Sequence, residues 1–295
     1  MVHKESIALP SDPERRLFDG DEGVQLVADA FGAARNGAVI LAHGGGQTRH
    51  AWAKAGERIA AAGWLAVALD LRGHGESGWS PSGDYRLTRF ARDLALVAKQ
   101  IGQRPHVVGA SLGGLAGLMA ETHTDPGAFA SLTLVDITPR MEPAGVARVV
   151  GFMADRAEDG FSSLEEAAEF IAQYLPHRPR PQDLSGLAKN LRRGDDGRHR
   201  WHWDPRFITS VVETRATHSM DEFEARAGEL RLPLHLIRGR LSELVSEEAA
   251  RAFLEAAPHA KFSDVANAGH MVAGDRNDAF IEAVLGFLED QRNAT

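Results

Sequence analysis

Short apolar runs alternate with amphipathic segments through the first half of the chain. Runs rich in Val, Ile, Leu and Ala predict buried strands, whereas apolar residues spaced three and four positions apart predict helices with one buried face. The strands are predicted at residues 24–30, 38–42, 65–69, 106–108 and 132–135, and the helices at 51–62 and 87–101. This order predicts an α/β fold with a mostly parallel sheet that is covered by helices on both faces.

The alternation stops at Pro139 and returns at Pro233–Ile237. A strand at Lys261–Val265 and a helix at 278–288 then close the pattern. The sequence between Pro139 and Pro233 is helix-like and loop-like. A long insertion after one strand, with the sheet resuming later, is typical of a cap over the carboxyl edge of the sheet. We therefore predict a core of residues 1–138 and 231–295 and a helical cap of residues 139–230.

Composition narrows the class of protein. The chain has 295 residues, of which 43% are apolar and 25% charged, as in ordinary globular proteins. No apolar run approaches the roughly 18 residues that span a bilayer, and the first residues lack the apolar region of a secretory signal. The absence of cysteine excludes disulfides, a thiol nucleophile and thiolate-bound metals. A net charge of −8 argues against nucleic acid and anionic membranes as partners. We expect a cytoplasmic monomer or homodimer that acts on a small molecule.

The most informative motif is a Gly-x-Ser-x-Gly sequence at Gly109–Gly113. Glycines two positions before and after Ser111 permit a sharp turn from strand into helix, so that the hydroxyl stands clear of the backbone. The N-terminus of the following helix then directs its N–H groups at whatever the serine attacks. We predict that Ser111 is a nucleophile. The alternative is close packing of a helix on a strand, as in dinucleotide-binding folds, whose glycines are spaced differently.

A second glycine run, His43–Gly46, follows directly after a predicted strand. Successive glycines let backbone N–H groups approach a ligand closely, which suits an oxyanion hole. We predict the N–H groups of Gly45 and Leu112 as its two donors, with Gly44 and Gly46 completing the loop. The alternative is a flexible turn with no role in binding.

The predicted general base is His270. Of the 13 histidines, it alone lies in a glycine-flanked loop between the last strand and the last helix, and loops at the carboxyl edge of a parallel sheet are where ligands bind. His43 is expected to hold its loop or to contact substrate. His199 and His202 are expected at the surface. Without nearby carboxylates that pair does not predict a metal site, and we expect no metal or organic cofactor.

Two carboxylates are candidates for the acid that orients the base. Asp136 ends the strand after the serine helix, and Glu243 follows the first strand after the insertion. Either side chain can accept the Nδ1–H of His270, fix its tautomer and stabilise the imidazolium. The chain order of serine, acid and histidine holds for both. We favour Glu243, because its loop is expected next to the His270 loop, and keep Asp136 as the alternative.

Substrate choice is expected to depend on the cap. Its aromatic and apolar residues either line a pocket for an apolar or aromatic substrate or simply hold the cap on the core. The residues assigned to substrate binding are His43, Phe152, Trp201, Trp203 and Met271, and further candidates for the lining are Met153, Phe161, Phe170, Tyr174 and Phe207.

Together these motifs resemble the α/β-hydrolase superfamily over almost the whole chain. Ser111 matches the nucleophile elbow, His43–Gly46 the oxyanion loop and His270 the late histidine. The pattern is similar to that of capped, cofactor-free bacterial enzymes, which include esterases, carbon–carbon bond hydrolases and non-haem peroxidases. The chain departs from the family at Glu243, where an aspartate is usual. A serine at the nucleophile position argues against epoxide hydrolase and haloalkane dehalogenase chemistry.

The resemblance implies a serine hydrolase that cleaves an ester or a related carbonyl bond through an acyl-enzyme. Two alternatives stay open at this point. One is a cofactor-free perhydrolase or haloperoxidase activity, and the other is a ligand-binding protein on the same scaffold that performs no catalysis.

Overall fold

The computed structural model describes residues 12–174, 183–210, 220–266, 268–269 and 277–294. They form an eight-stranded sheet and a separate two-stranded hairpin. The strands are β1 (Glu14–Asp19), β2 (Gln25–Phe31), β3 (Ala38–Ala42), β4 (Leu65–Leu69), β5 (His106–Ala110), β6 (Ser131–Val135), β7 (Leu191–Arg193), β8 (His199–Trp201), β9 (Leu234–Gly239) and β10 (Lys261–Val265). The helices are α1 (Ala53–Ala61), α2 (Leu87–Ile101), α3 (Leu112–Met119), α4 (Pro143–Ala154), α5 (Leu164–Tyr174), α6 (Ser185–Ala188), α7 (Met220–Glu229), α8 (Glu247–Ala256) and α9 (Asn277–Ala294).

The large sheet has the strand order β1-β2-β4-β3-β5-β6-β9-β10. Strand β2 pairs antiparallel with both β1 and β4, and every other neighbouring pair is parallel. The predicted α/β fold with a mostly parallel sheet is confirmed. Every residue of β3, β4 and β6 is buried, as expected for strands that helices cover on both faces.

Successive residues of the central strand β3 face the two apolar layers of the core. Leu41 shares one cluster with Ile59 of α1 and Phe280 of α9. Ile40 belongs to the second cluster, together with Phe90 of α2. That cluster also contains residues of α8 and of the chain between β6 and β9. This arrangement leaves the carboxyl edge of the parallel strands as the place where loops from β3, β5, β6 and β9 meet.

The edge strand β1 was not predicted from the sequence. Its residues, Glu14–Asp19, include four charged side chains, and Phe18 alone is buried. Backbone pairing with β2 holds this strand in the sheet. Charged side chains on an exposed edge are typical of strands that must not pair with another molecule. Strand β1 therefore lacks the apolar run from which the other strands were predicted.

The chain between β6 and β9, whose residues 139–230 we call the insertion, contains α4 to α7 and the β7–β8 hairpin. The sequence predicted only helix and loop in this region, so the hairpin is a correction. Each of its strands has three residues, too few for a periodic apolar pattern to appear. Over the described ranges, no helix is both long and apolar enough to cross a membrane.

Candidate active site

Ser111 occupies the corner between β5 and α3. Its backbone has φ 47° and ψ −112°, a strained conformation of the kind that costs about 1–3 kcal/mol and clusters at functional sites. Close packing requires glycine on both sides of it. A Cβ atom at Gly109 would lie 2.4 Å from Gly114 N, and one at Gly113 would lie 2.4 Å from Ala42 O. The turn is therefore as sharp as the glycine spacing predicts.

The glycine loop after β3 lies beside this corner. A Cβ atom at Gly44 would lie 3.3 Å from Ser111 Cβ. The Gly44 N–H donates to Gln47 Oε1 at 3.0 Å, and the Gln47 N–H donates back to Gly44 O at 3.1 Å. These two bonds close the loop into a tight turn against the serine.

Two backbone N–H groups beside Ser111 have no acceptor among the residues that the structure describes. One belongs to Gly45, although the N–H groups of both flanking glycines, Gly44 and Gly46, donate to side chains. The other belongs to Leu112, the first residue of α3, where an N–H has no partner within the helix. These are the two N–H groups that the sequence analysis predicts as the donors of an oxyanion hole.

His43 is fully buried below the glycine loop. Its Nε2 accepts the Leu71 N–H at 3.0 Å, so its proton lies on Nδ1, which donates to Gly44 O at 2.8 Å. Burial lowers the pKa of His43 to about 4, so the ring is neutral near pH 7. Both ring nitrogens are occupied by backbone groups, which leaves no polar atom for a substrate. The position supports the loop-holding role of His43 and speaks against the substrate-binding one.

His202 was expected at the surface, and this expectation is wrong. The side chain is 2% exposed, and it reaches from the insertion to the glycine loop, where its Nε2 lies 3.3 Å from Gly46 O. His74, from the loop after β4, accepts the Gly46 N–H on Nε2 at 3.1 Å. The sequence could not predict that His202 packs on the glycine loop, because the local sequence around a loop histidine does not differ between an exposed and a buried side chain.

Asp136 lies directly after β6 and is fully buried. Its Oδ1 accepts the Gly239 N–H at 2.9 Å, and its Oδ2 accepts the Ser242 hydroxyl at 2.6 Å. The backbone of Asp136 has φ 51°, which few non-glycine residues adopt. The preceding residue, Val135, pairs with Ala110 in the sheet, so the carboxylate follows the strand that lies next to the serine corner.

Glu243 lies at the surface. Its side chain is 57% exposed, and its Oε1 lies 2.6 Å from the Arg148 guanidinium of α4. An exposed, ion-paired carboxylate is poorly suited to orient a catalytic imidazole. The geometry therefore favours Asp136 over Glu243, which reverses the preference drawn from the sequence. Sequence order shows which loop a carboxylate lies on, but it does not show the direction of the side chain.

The insertion packs directly on the glycine loop. A Cβ atom at Gly46 would lie 3.0 Å from Met153 Cε and 3.3 Å from Trp203 Cζ3, and one at Gly45 would lie 3.3 Å from Phe207 Cζ. Of the residues assigned to substrate binding, Trp203 is thus placed beside the predicted oxyanion donors.

Trp201 and Phe152 lie one layer further out. The ring of Trp201 stacks on that of Trp203 with 4.8 Å between centroids, and Phe152 lies 5.7 Å from Trp201. Trp201 also donates its indole N–H to Asp155 O at 3.3 Å, within the insertion. These contacts fit residues that hold the insertion together. The predicted base His270 and the pocket residue Met271 lie outside the described residues.

Comparison with known proteins gives a consistent result. The sequence model of the family described as alpha/beta hydrolase fold matches residues 37–276. Esterase Rv0045c of Mycobacterium tuberculosis is 30% identical over 281 residues, which cover 90% of this chain and 88% of the relative. The 2-hydroxy-6-oxononadienedioate/2-hydroxy-6-oxononatrienedioate hydrolase 1 of Dechloromonas aromatica is 24% identical over 287 residues, which cover 92% of this chain and 93% of that protein.

Solved structures show the same fold. The crystal structure of an α/β hydrolase from Novosphingobium aromaticivorans matches with a TM-score of 0.79 at 22% identity, and the match covers 95% of this chain and 99% of that one.

Proposed function

The chain belongs to the α/β-hydrolase family, and on that premise we propose that it is a serine hydrolase that cleaves an ester bond of a small, apolar or aromatic substrate. The observation that carries the proposal is the serine corner. Ser111 adopts a strained backbone between two glycines that packing requires. Beside it, the N–H groups of Gly45 and Leu112 lack acceptors among the described residues.

In the proposed reaction, His270 removes the Ser111 proton and the serine oxygen attacks the substrate carbonyl. The N–H groups of Gly45 and Leu112 hold the developing oxyanion, and each such donor typically lowers the barrier by about 3 kcal/mol. As this intermediate collapses, His270 passes the proton to the leaving oxygen, which releases the alcohol and leaves an acyl-enzyme and a neutral His270. Water activated by His270 then attacks the acyl group and frees the serine. None of these steps needs a metal or an organic cofactor.

We propose Asp136 as the acid that orients His270. Two donors from the loop that begins at the end of β9, the Gly239 N–H and the Ser242 hydroxyl, fix its carboxylate. A carboxylate held in this way can keep an imidazole in one tautomer and stabilise the imidazolium that forms during attack. Glu243 is then a surface residue that pairs with Arg148.

We propose that residues 139–230 act as a cap over the site. Support comes from Met153, Trp203 and Phe207, whose side chains pack on the glycine loop. An apolar wall beside the oxyanion donors favours substrates with an apolar acyl group or an aromatic ring.

Cleavage of a carbon–carbon bond next to a carbonyl is the second candidate reaction. It is supported by the similarity to the Dechloromonas aromatica hydrolase along 92% of the chain. The same nucleophile, base and oxyanion donors serve both reactions. The two candidate reactions are therefore distinguished by which substrates the protein turns over.

The test is fluorophosphonate labelling together with turnover of a panel of short p-nitrophenyl esters, lactones and 2-hydroxy-6-oxo dienoates. We expect labelling of Ser111 in the wild type, and a loss of turnover of more than about 10⁴-fold in Ser111→Ala. Ser185→Ala, an exposed serine at the start of α6, is the control and should behave as the wild type. A wild-type protein that is neither labelled nor active on any member of the panel would contradict the proposal.

A further inference from the structure

Three buried histidines meet at the glycine loop from three separate parts of the chain. His43 belongs to the loop, His74 follows β4, and His202 comes from the insertion. None of the three is more than 2% exposed. Their rings stand in a row, with 5.2 Å between the centroids of His43 and His74 and 5.8 Å between those of His74 and His202.

Each ring accepts one backbone N–H and therefore has one fixed tautomer. His74 Nε2 accepts from Gly46, so its proton lies on Nδ1, 2.9 Å from Arg72 O. His202 Nδ1 accepts the Gly75 N–H at 2.7 Å, so its proton lies on Nε2 and is directed to Gly46 O. A protonated ring has no lone pair with which to accept an N–H, so each ring is neutral in this arrangement.

These bonds act on three consecutive peptide units. His43 binds Gly44 O in the unit that carries the Gly45 N–H. His74 binds the Gly46 N–H of the next unit, and His202 binds Gly46 O of the third. Because the C=O and the N–H of one peptide unit point in opposite directions, fixing Gly44 O also fixes the direction of the Gly45 N–H. The other two bonds prevent the glycine loop from rotating away at Gly46, whose φ of 76° lies in the left-handed region that favours glycine.

We propose that His202 is a positioning residue through which the insertion sets the geometry of the oxyanion donors. This inference rests on the proposed function, because it assigns His202 to the same reaction. The hydrogen bond to Gly46 O makes the reaction rate, and not only the binding of substrate, depend on a residue outside the sheet. His202 contacts no reacting atom in this scheme and acts through the loop.

Two substitutions separate the two bonds of His202. In His202→Gln the side-chain amide can extend to the place of Nε2 and donate to Gly46 O. In His202→Asn the side-chain oxygen can take the place of Nδ1 and accept from Gly75, but the amide is too short to reach Gly46. A role in packing alone predicts similar losses for both variants.

The measurements are kcat and KM on a p-nitrophenyl ester, the inhibition constant of a trifluoromethyl ketone, and the midpoint of unfolding. The ketone adds to the serine and places an oxyanion in the hole. We expect His202→Asn to lower kcat by about ten- to a hundredfold and to leave KM nearly unchanged. The inhibition constant of the ketone should rise by the same factor as kcat falls. We expect His202→Gln to keep most of the wild-type kcat.

The inference is overturned if His202→Asn keeps the wild-type kcat, or if both variants lose kcat equally. If His202→Asn does not fold, His202→Ala with imidazole in the buffer replaces it, and failure of imidazole to restore kcat is then the contradicting result. A wild-type protein that turns over no substrate and is not labelled at Ser111 indicates instead that the proposed function is wrong. The two failures are thereby distinguishable.

Discussion

The hydroxyl of Ser242 donates to the buried carboxylate of Asp136, with 2.6 Å between the two oxygens. The same hydroxyl oxygen accepts the N–H groups of Leu244 and Val245, each at 3.1 Å. With both N–H groups directed at its oxygen, the hydroxyl proton is left to point at Asp136. The loop after β9 therefore supplies a donor to the carboxylate, where the sequence suggested that it supplies the carboxylate itself.

The first prediction separates the two acids. We expect Asp136→Asn to lower kcat by about 10³- to 10⁴-fold, because an amide can stabilise the wrong tautomer of the base and cannot stabilise its charged form. Glu243→Gln should change kcat by less than about twofold, since it removes only an exposed ion pair with Arg148. Steady-state kinetics on the best ester of the panel measures both. Near-normal rates in both variants would show that neither carboxylate orients the base.

The second prediction concerns Ser242. We expect Ser242→Ala to lower kcat about tenfold and the free energy of unfolding by about 1–3 kcal/mol, because it removes one hydrogen bond to the buried carboxylate and the acceptor of two backbone N–H groups. Ser242→Thr keeps the hydroxyl and serves as the control. Kinetics and urea denaturation provide the two measurements, and an alanine variant with wild-type values would contradict the role given to this hydroxyl.

The third prediction compares two glycines that both lie in helices. A Cβ atom at Gly113 would lie 2.4 Å from Ala42 O, whereas one at Gly151 of α4 meets nothing within 4 Å. We expect Gly113→Ala to lower the free energy of unfolding by about 3 kcal/mol, because backbone must move to admit the methyl group. Gly151→Ala should raise it by about 0.5–1 kcal/mol. Chemical denaturation of both variants is the measurement, and equal effects would refute the close packing at the serine corner.

The fourth prediction is a steep loss of stability in mild acid. Burial lowers the pKa of His43 to about 4 and, with a neighbouring histidine adding to the effect, those of His74 and His202 to about 3. In the unfolded chain each histidine has an ordinary pKa of about 6.5. Between those values the unfolded chain binds more protons than the folded one, so the free energy of unfolding falls as the pH falls. The expected slope is about 1.4 kcal/mol per pH unit for each histidine.

Denaturation at pH 8, 7, 6 and 5 measures this slope. His202→Gln removes one titrating group, so its curve should be shallower than that of the wild type by the contribution of one histidine. A free energy of unfolding that stays constant between pH 7 and pH 5 would show that these rings are not held neutral.

The sequence predicted the elements whose pattern is repeated over their full length. The bounds of β3, β4 and α2 are those expected from apolar periodicity, because these elements bury one or both faces along their length. The bounds of β10 are also those predicted, although only Val265 of that strand is buried. Strand β1 escaped prediction since pairing with β2, and not an apolar face, holds it in the sheet.

In the candidate site, too, local features could be predicted from the sequence, whereas contacts between distant parts of the chain could not. The glycine spacing around Ser111 follows from local backbone geometry, so the motif predicted the corner that the structure describes. The choice between Asp136 and Glu243 and the burial of His202 depend on side-chain directions that are set by residues far away in the chain. A linear pattern contains no information on those directions.

The bond between His202 and Gly46 also bears on how this scaffold can be re-engineered. A chimera that receives a foreign segment between β6 and β9 would inherit an intact serine corner and still lose one of the three restraints on the glycine loop. On the proposed role of His202, such a chimera would form the complete sheet and still turn over substrate slowly. The exception would be a foreign segment with a side chain that donates to Gly46 O. The proposed role of His202 would thus link substrate selectivity and reaction rate through a single imidazole.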